Sequence, residues 1–457
     1  MEMSKMHEKH EGMDTGRLRR ILGGRIVQTT NSTPFGLEEI RKSGIAFGLF
    51  GANGIEGVGP QAAAVLAQLA DSLHQRDLQY RYGADVGEFR KAVGRILLNA
   101  FRGRDFLTLN ARDMATVHPE IEAWFARQSS RRTHIVPCNI LPVAATSVKV
   151  GPVTLISARE YFESKPEPHE FDRFYWEQFA KMMNERHASW LAVVEVDRAE
   201  PKRSRQLAEF ATDLALAGLQ LVLPRADSQQ MCRLTGRSGP VWHADLHLEG
   251  EQFGGGITNN QPGRTLLADT FNLLVSEGSE MLESVGHRID AFLRCESMCE
   301  ADQAWCDAAY WFHDALAEPL DSIAMAKYET ALEILFHATS KSGSEKRIKE
   351  AFHAFFGLRD SDALSGTNVT VHGFVKNLVE YRSKVLHGTQ STLSHYSVAD
   401  RQEVAVLVFQ FLRLYSLCLD AYKLVEPAPS LTVRDFMEWL RTASNAEESP
   451  DSEPSVI

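Results

Sequence analysis

The stretch VHGFVKNLVEYRSKVLHG, residues 371–388, decides how this chain is read. Its four- and three-residue spacing places Phe374, Leu378, Arg382 and Val385 on one stripe of a helix. Arg382 thus interrupts an apolar seam. A guanidinium cannot be discharged and is costly to bury alone, so it needs a carboxylate partner or a solvated cleft. The stretch IAMAKYETALEILFHA, residues 323–338, supplies one: Glu333 is a charge among Leu332, Leu335 and Phe336, and a Glu333–Arg382 pair would satisfy both groups. His387 comes five residues after Arg382 and directly before Gly388, a residue suited to ending a helix in the left-handed conformation. Five residues turn an ideal helix by about 140°. Arg382 and His387 therefore share a site only if the helix end unwinds, Arg382 reaches round, or a second subunit contributes.

Outward from this motif, no segment between Arg264 and about Leu424 reads as a strand, and helices are predicted to begin near Thr265, Asp302, Asp321, Ser344, Val371 and Val398. Residues 264–428 are expected to form an all-α bundle. Its last helix, VAVLVFQFLRLYSLCL at 404–419, is apolar almost all round, which fits a central buried helix or a subunit interface. Gln410 and Arg413 make it a poor membrane span.

At these residues the chain resembles the HEPN superfamily, in particular its Apea-like domains, marked by an Arg, four to six residues, and a His near a helix end. The run Arg382-Ser383-Lys384-Val385-Leu386-His387 matches with a four-residue gap, and AAYWFHDALAE and AKYETALEILF look like the family's first helices, with Glu333 at its acidic position. The resemblance covers roughly residues 300–425. Ser383 stands where many members carry Asn, Asp or His. The resemblance implies metal-independent RNA cleavage in a composite site formed by two HEPN domains as a homodimer, with Arg382 and His387 catalytic, Glu333, Ser383 and Lys384 supporting, and no cofactor. In that chemistry the RNA 2′-OH attacks the adjacent phosphate, His387, with an intrinsic pKa near ~6.5, moves protons, and Arg382 stabilises charge on the phosphate oxygens. DNA lacks that hydroxyl and should resist. An Arg–Glu pair in a bundle with a His at a helix end also suits a purely structural role, and inactive HEPN domains serve as interaction modules.

The N-terminal half has a different texture. The first twenty residues are polar and expected to be mobile, and residues 21–260 read as a mixed α/β region that senses or binds an unknown trigger. Helices are predicted from Pro60, over 86–101, over 111–128 and over about 202–223. Strands are predicted within 133–157 and over 189–197, and a hairpin turning near Gly236 to Gly239. GGGITNNQPG, residues 254–263, has the composition of a linker or long loop and is the expected domain boundary. From Ser444 onward the chain is acidic and proline-containing, a tail expected to be disordered. The fold class is α+β: a mixed α/β region followed by an all-α bundle.

Composition narrows the function classes. A net charge of −11 over 457 residues argues against non-specific coating of nucleic acid, which depends on many phosphate contacts. Residues 341–390 nevertheless carry eight Lys and Arg against five acids, which suits a local anion site. With no apolar segment of signal type at the N-terminus and no apolar run of 18 residues, a cytoplasmic protein away from membranes is expected. Six sparse cysteines should be free thiols.

Weaker candidates lie outside the bundle. His243, Asp245 and His247 alternate along a predicted strand, as metal ligands would and as the polar face of any half-buried strand does. GLFGANGIEGVG, residues 48–59, has glycines enough to cradle a phosphate but lacks the Lys-Ser/Thr that follows in a Walker motif, so a flexible loop is expected. Glu195 and Asp197 share a strand face as nuclease carboxylates do, and equally as a solvated face does. Cys295, Cys299 and Cys306 lack metal-finger spacing. The leading expectation is an endoribonuclease acting on RNA, tRNA included, in prokaryotic antiviral defence by abortive infection. The alternatives are a non-catalytic HEPN scaffold that binds RNA or protein, and a metal-dependent enzyme centred on His243 to His247.

Overall fold

The computed structural model describes residues 26–29, 47–51, 54–58, 60–101, 111–165, 170–234, 242–259, 261–338, 340–365, 368–391 and 401–447. The expected mobile N-terminus lies outside these residues, as does the acidic tail beyond 447. The chain is α+β, with its strands in the N-terminal half and a helical C-terminal half. It divides into two compact units, one of residues 1–132, 196–206 and 295–297, the other of residues 133–195, 207–294 and 298–457.

In the first unit, β1 (Ile26–Thr29), β2 (Phe47–Gly51) and β3 (Gly54–Val58) form an antiparallel sheet in the order β1-β3-β2. The described part of the glycine-rich stretch at 48–59, expected as a flexible loop, is strand: β2 and β3 pair antiparallel, with Gly51 opposite Gly54. Val58 anchors β3 in the core. Four helices follow: α1 (Pro60–Arg76), α2 (Leu78–Gly83), α3 (Val86–Ala100) and α4 (Ala111–Gln128). Leu66, Ala70, Tyr80, Phe89, Leu97 and Phe125 bury their apolar stripes against one another and Val58. Asp85 caps α3 by accepting from the Gly87 and Glu88 amides, while Glu200 accepts from the Asp85, Lys202 and Arg203 amides. Two orphaned helix starts are satisfied by one pair of carboxylates.

The second unit is built on a five-stranded sheet in the order β5-β6-β7-β4-β8, from β4 (Arg132–Asn139), β5 (Val148–Val150), β6 (Val153–Ser157), β7 (Trp190–Val196) and β8 (Cys232–Arg233). Ile156, Leu191 and Val193 pack under α5 (Ala158–Glu163) and α6 (Glu170–Glu185), through Tyr161, Phe162, Trp176, Phe179 and Met183. After α7 (Pro201–Gln220) and the short α8 (Arg225–Ser228), the strands β9 (Trp242–Glu249) and β10 (Gln252–Asn259) form a separate antiparallel hairpin. Its turn is at Gly250, where φ is +67°, and not at Gly236 to Gly239, which lie outside the described residues. The expected linker at 254–263 is therefore mostly β10, because ladder hydrogen bonds to β9 hold an extended backbone that its own composition does not favour.

The bundle comprises α9 (Ala268–Glu277), α10 (Ser279–Leu293), α11 (Glu300–Leu316), α12 (Asp321–Leu335), α13 (Lys341–Phe356), α14 (Val371–Leu386), α15 (Arg401–Lys423) and α16 (Val433–Glu447). It is not set apart from the sheet at residues 254–263: Trp190 of β7 meets Phe271 of α9 with ring centroids 5.9 Å apart. A Cβ on Gly151, between β5 and β6, would lie 2.5 Å from the Gly286 carbonyl of α10, so only glycine permits this approach. Helix α15 alone among the described residues has the length and apolarity of a membrane span. Val404, Val408, Phe411, Leu412, Tyr415 and Leu419 are buried in the bundle, and Arg413 donates to the Leu221 carbonyl at 2.8 Å. Helix α16 extends the bundle past the expected end at 428 and makes residues 444–447 helical. Phe436 fixes it, packing on Tyr415 and Tyr422 at 4.8 and 5.5 Å.

Candidate functional site

Three helices bring the Arg382 motif together. Thr370 caps α14 by accepting from the Gly373 amide, and Phe374, Leu378 and Val385 are buried on its inner stripe as their spacing predicts. Arg382, on the same stripe, keeps 31% of its side chain exposed. Its Nη2 lies 2.9 Å from Glu333 Oε2 on α12, the pair expected from sequence. A second carboxylate, Glu329, is fully buried one turn earlier on α12, with Oε2 3.3 Å from Arg382 Nε. That contact is close enough for an ion pair but lacks hydrogen-bond alignment, and among the described residues neither Glu329 oxygen nor Arg382 Nε has a hydrogen-bond partner. Ser344, in the first turn of α13, donates to the other oxygen of Glu333.

Two carboxylates and one guanidinium cannot all stay charged cheaply in a buried seam. Burial first, then repulsion from Glu333, push Glu329 up to about 8, against the opposing pull of Arg382. Glu329 therefore holds a proton at neutral pH. That proton also resolves the unpaired oxygens: two ionised carboxylates have no donor for each other, whereas a protonated Glu329 can donate to Glu333. The cluster is then one cation, one anion and one neutral acid. Arg382 Nη1 carries no partner among the described residues.

His387 is the C-cap of α14, at φ −84° and ψ 1°, and Gly388 takes the left-handed conformation at φ +68°. The helix ends as the glycine predicts: the Thr389 and Gln390 amides both close on the Lys384 carbonyl. The His387 ring is exposed and has no partner among the described residues. Because α14 stays regular through Leu386, the end does not unwind, and with Arg382 held on α12 the guanidinium does not reach round to His387. One chain leaves the two side chains on different faces. Of the supporting residues, Lys384 is paired with Glu380 at 2.8 Å on the surface, and Ser383 is half-buried, with no side-chain bond among the described residues. Glu329 was absent from the sequence-based set, although its four-residue offset from Glu333 places both on one face.

The weaker candidates do not converge. Asp245 and His247 are exposed on β9, 3.8 Å apart, and the side chain of His243 lies outside what is described. The hairpin is not half-buried as expected: Leu248 of β9 and Phe253 and Ile257 of β10 are 62%, 81% and 71% exposed, and no third strand joins the two among the described residues. Among the described residues no three His, Cys, Asp or Glu side chains are placed to hold a metal ion. All six cysteines are free, and burial raises the Cys306 thiol well above its ordinary value. No family model, curated protein or solved structure matches the chain.

Proposed function

We propose that this protein is a metal-independent endoribonuclease of the HEPN type, acting in the cytoplasm as a homodimer on RNA, tRNA included, in prokaryotic abortive-infection defence against a trigger read by its N-terminal region. The observation that carries the reading is the Arg382 cluster: a guanidinium on an apolar seam, partly exposed, with one nitrogen that has no partner among the described residues, on the helix that ends in His387, likewise without a partner among them. A free Nη1 suits a phosphate oxygen, and an exposed imidazole suits proton transfer. Since one chain separates the two, the reading requires that Arg382 of one subunit work with His387 of another. The neutral form of Glu329 leaves Arg382 less compensated than two ionised carboxylates would.

A non-catalytic scaffold that binds RNA or protein is favoured by one observation, the ion pair of Arg382 with Glu333, which serves structure without chemistry. Incubation of the full chain with tRNA and total RNA in EDTA separates the two. The nuclease predicts EDTA-resistant cleavage that falls by at least ~100-fold in both Arg382→Ala and His387→Ala. Partial rescue on mixing the two variants would support a shared site. Equal cleavage by wild type and variants would exclude the assignment, and an intact dimer that binds RNA without cutting it would favour the scaffold.

A further inference from the structure

Strands β9 and β10 form a ribbon whose outer edge is unguarded. Glu249 pairs with Gln252 across the two-residue turn at Gly250 and Glu251, and the ladder runs on to Trp242 opposite Asn259. Pairs along such a ladder alternate between hydrogen-bonded and open, beginning with a bonded pair at the turn, so Gln252, Gly254, Gly256 and Thr258 turn their backbone groups to β9. The N–H and C=O groups of Phe253, Gly255 and Ile257 therefore point outward, where no third strand joins β10 among the described residues. Side-chain alternation puts Phe253 and Ile257 on one face beside Leu248 and Ala244, all exposed. A two-stranded ribbon with an open apolar face is marginally stable in water and gains from further strands. Strand edges are commonly protected by lysine, proline or an inward charge, and β10, QFGGGITN, has none of these.

We propose that β10 pairs antiparallel with β10 of a second copy of this chain, in the register that sets Gly255 opposite the partner's Gly255. The strand's own sequence favours a copy of itself over another occupant. QFGGGIT, residues 252–258, has the same side-chain types read from either end: polar, large apolar, three glycines, large apolar, polar. A two-fold contact requires this, because each residue must suit its symmetry-related position in the partner. Centred on Gly255, Phe253 faces the partner's Ile257 and Gln252 faces the partner's Thr258, so apolar meets apolar and polar meets polar. Register and hydrogen bonding agree, since Phe253, Gly255 and Ile257, which turn their backbone groups outward, are the residues this register places in bonded pairs. With no charge on β10, nothing repels across the axis. On the apolar face, Leu248, Phe253 and the partner's Ile257 then stand in one row, which joins two exposed patches into a single cluster.

Sedimentation velocity of the full chain over ~1–100 µM tests this, together with amide hydrogen exchange. A contact this small should give a dissociation constant in the micromolar range. Gly255 holds φ +130°, a conformation suited to glycine, so the substitutions belong at Phe253 and Ile257. Phe253→Lys and Ile257→Glu should each weaken association by at least ~10-fold, since each falls twice across the axis. Both side chains are exposed, so the melting temperature should not move. The double variant F253K/I257E should recover most of the lost association, because its new charges are of opposite sign and face each other across the axis, whereas within one strand they stand about 13 Å apart. The Phe253, Gly255 and Ile257 amides should be protected in the associated wild type and lose that protection on dilution and in either single variant. No association up to ~100 µM, association equal in wild type and both single variants, or losses that the double variant does not recover overturns the proposal, the last in favour of a different occupant. The inference does not rest on the nuclease reading, and Arg382→Ala should leave the association unchanged.

Discussion

Arg288 and Arg382 are both arginines set against carboxylates inside the same bundle, yet they are satisfied in opposite ways. Arg288, on α10, is completely buried, and its nitrogens reach Asp420, the Ser416 carbonyl at 2.9 Å, the Ser284 carbonyl at 3.3 Å and Asp302 at 3.5 Å. Lys423 and Ser284 then take up the remaining capacity of Asp302 and Asp420. Burial alone would raise the Asp420 carboxyl, but Arg288 and Ser284 hold it below its ordinary value. The Arg382 cluster has the reverse balance: more carboxylates than cations, a buried acid pushed upward, and a guanidinium open to solvent. The Arg288 network is closed except at Nε, which like Arg382 Nε has no hydrogen-bond partner among the described residues; a network so nearly closed fixes one packing of the helices, whereas an open one keeps donors available for a ligand.

The largest effect should come from breaking the closed network. Arg288→Met leaves Asp420 and Asp302 short of their buried partner and should cost about 3–5 kcal/mol in chemical denaturation. Arg382→Met should cost less, about 1–2 kcal/mol, because Glu329 carries a proton and Glu333 keeps Ser344. Equal costs would erase the distinction between the two clusters.

A pH series sharpens it. Glu329 has a folded value of about 8 against an ordinary 4.5, so the folded state binds more protons across that window. Its contribution is complete below about 4.5 and is lost as pH rises through about 8, by up to about 1.4 kcal/mol per pH unit. Glu329→Gln should remove this slope while leaving stability near pH 5 little changed. Superimposable pH profiles of wild type and variant would show that Glu329 is ionised in the fold.

The smallest effect concerns the helix end. Gly388→Ala should cost about 1 kcal/mol, since φ is +68° and a Cβ there meets no neighbour within 4 Å. Gly357→Ala, at φ +66° after α13, is the matched control. Loss of RNA cleavage in Gly388→Ala beyond that in Gly357→Ala would separate placement of His387 from general destabilisation.

Much of the helical framework was legible from local signals. Pro60 opens α1, α4 covers residues 111–128 as predicted, and Gly388 ends α14. Helices α6 and α16 were not expected, although α16 places Val433, Phe436, Met437 and Leu440 at helical spacing. That face finds partners in the fold, Phe436 packing on Tyr415 and Tyr422. The two glycine-rich stretches misled in the opposite direction. Without side chains they carry no periodicity, and pairing with a distant or adjacent strand makes them β2, β3 and β10.

The sequence by itself determined that Arg382 lies on an apolar stripe, that Glu333 is a candidate partner for it, and that His387 stands at a helix terminus. These follow from helical phase and from the cost of an unpaired guanidinium. Only the tertiary structure brought Glu329 against Arg382 in a buried seam and so placed a proton on it. Only the regular course of α14 through Leu386 showed that Arg382 and His387 diverge within one chain. Burial and helix regularity are properties of the packed bundle, because desolvation depends on every neighbour at once and no local spacing encodes it.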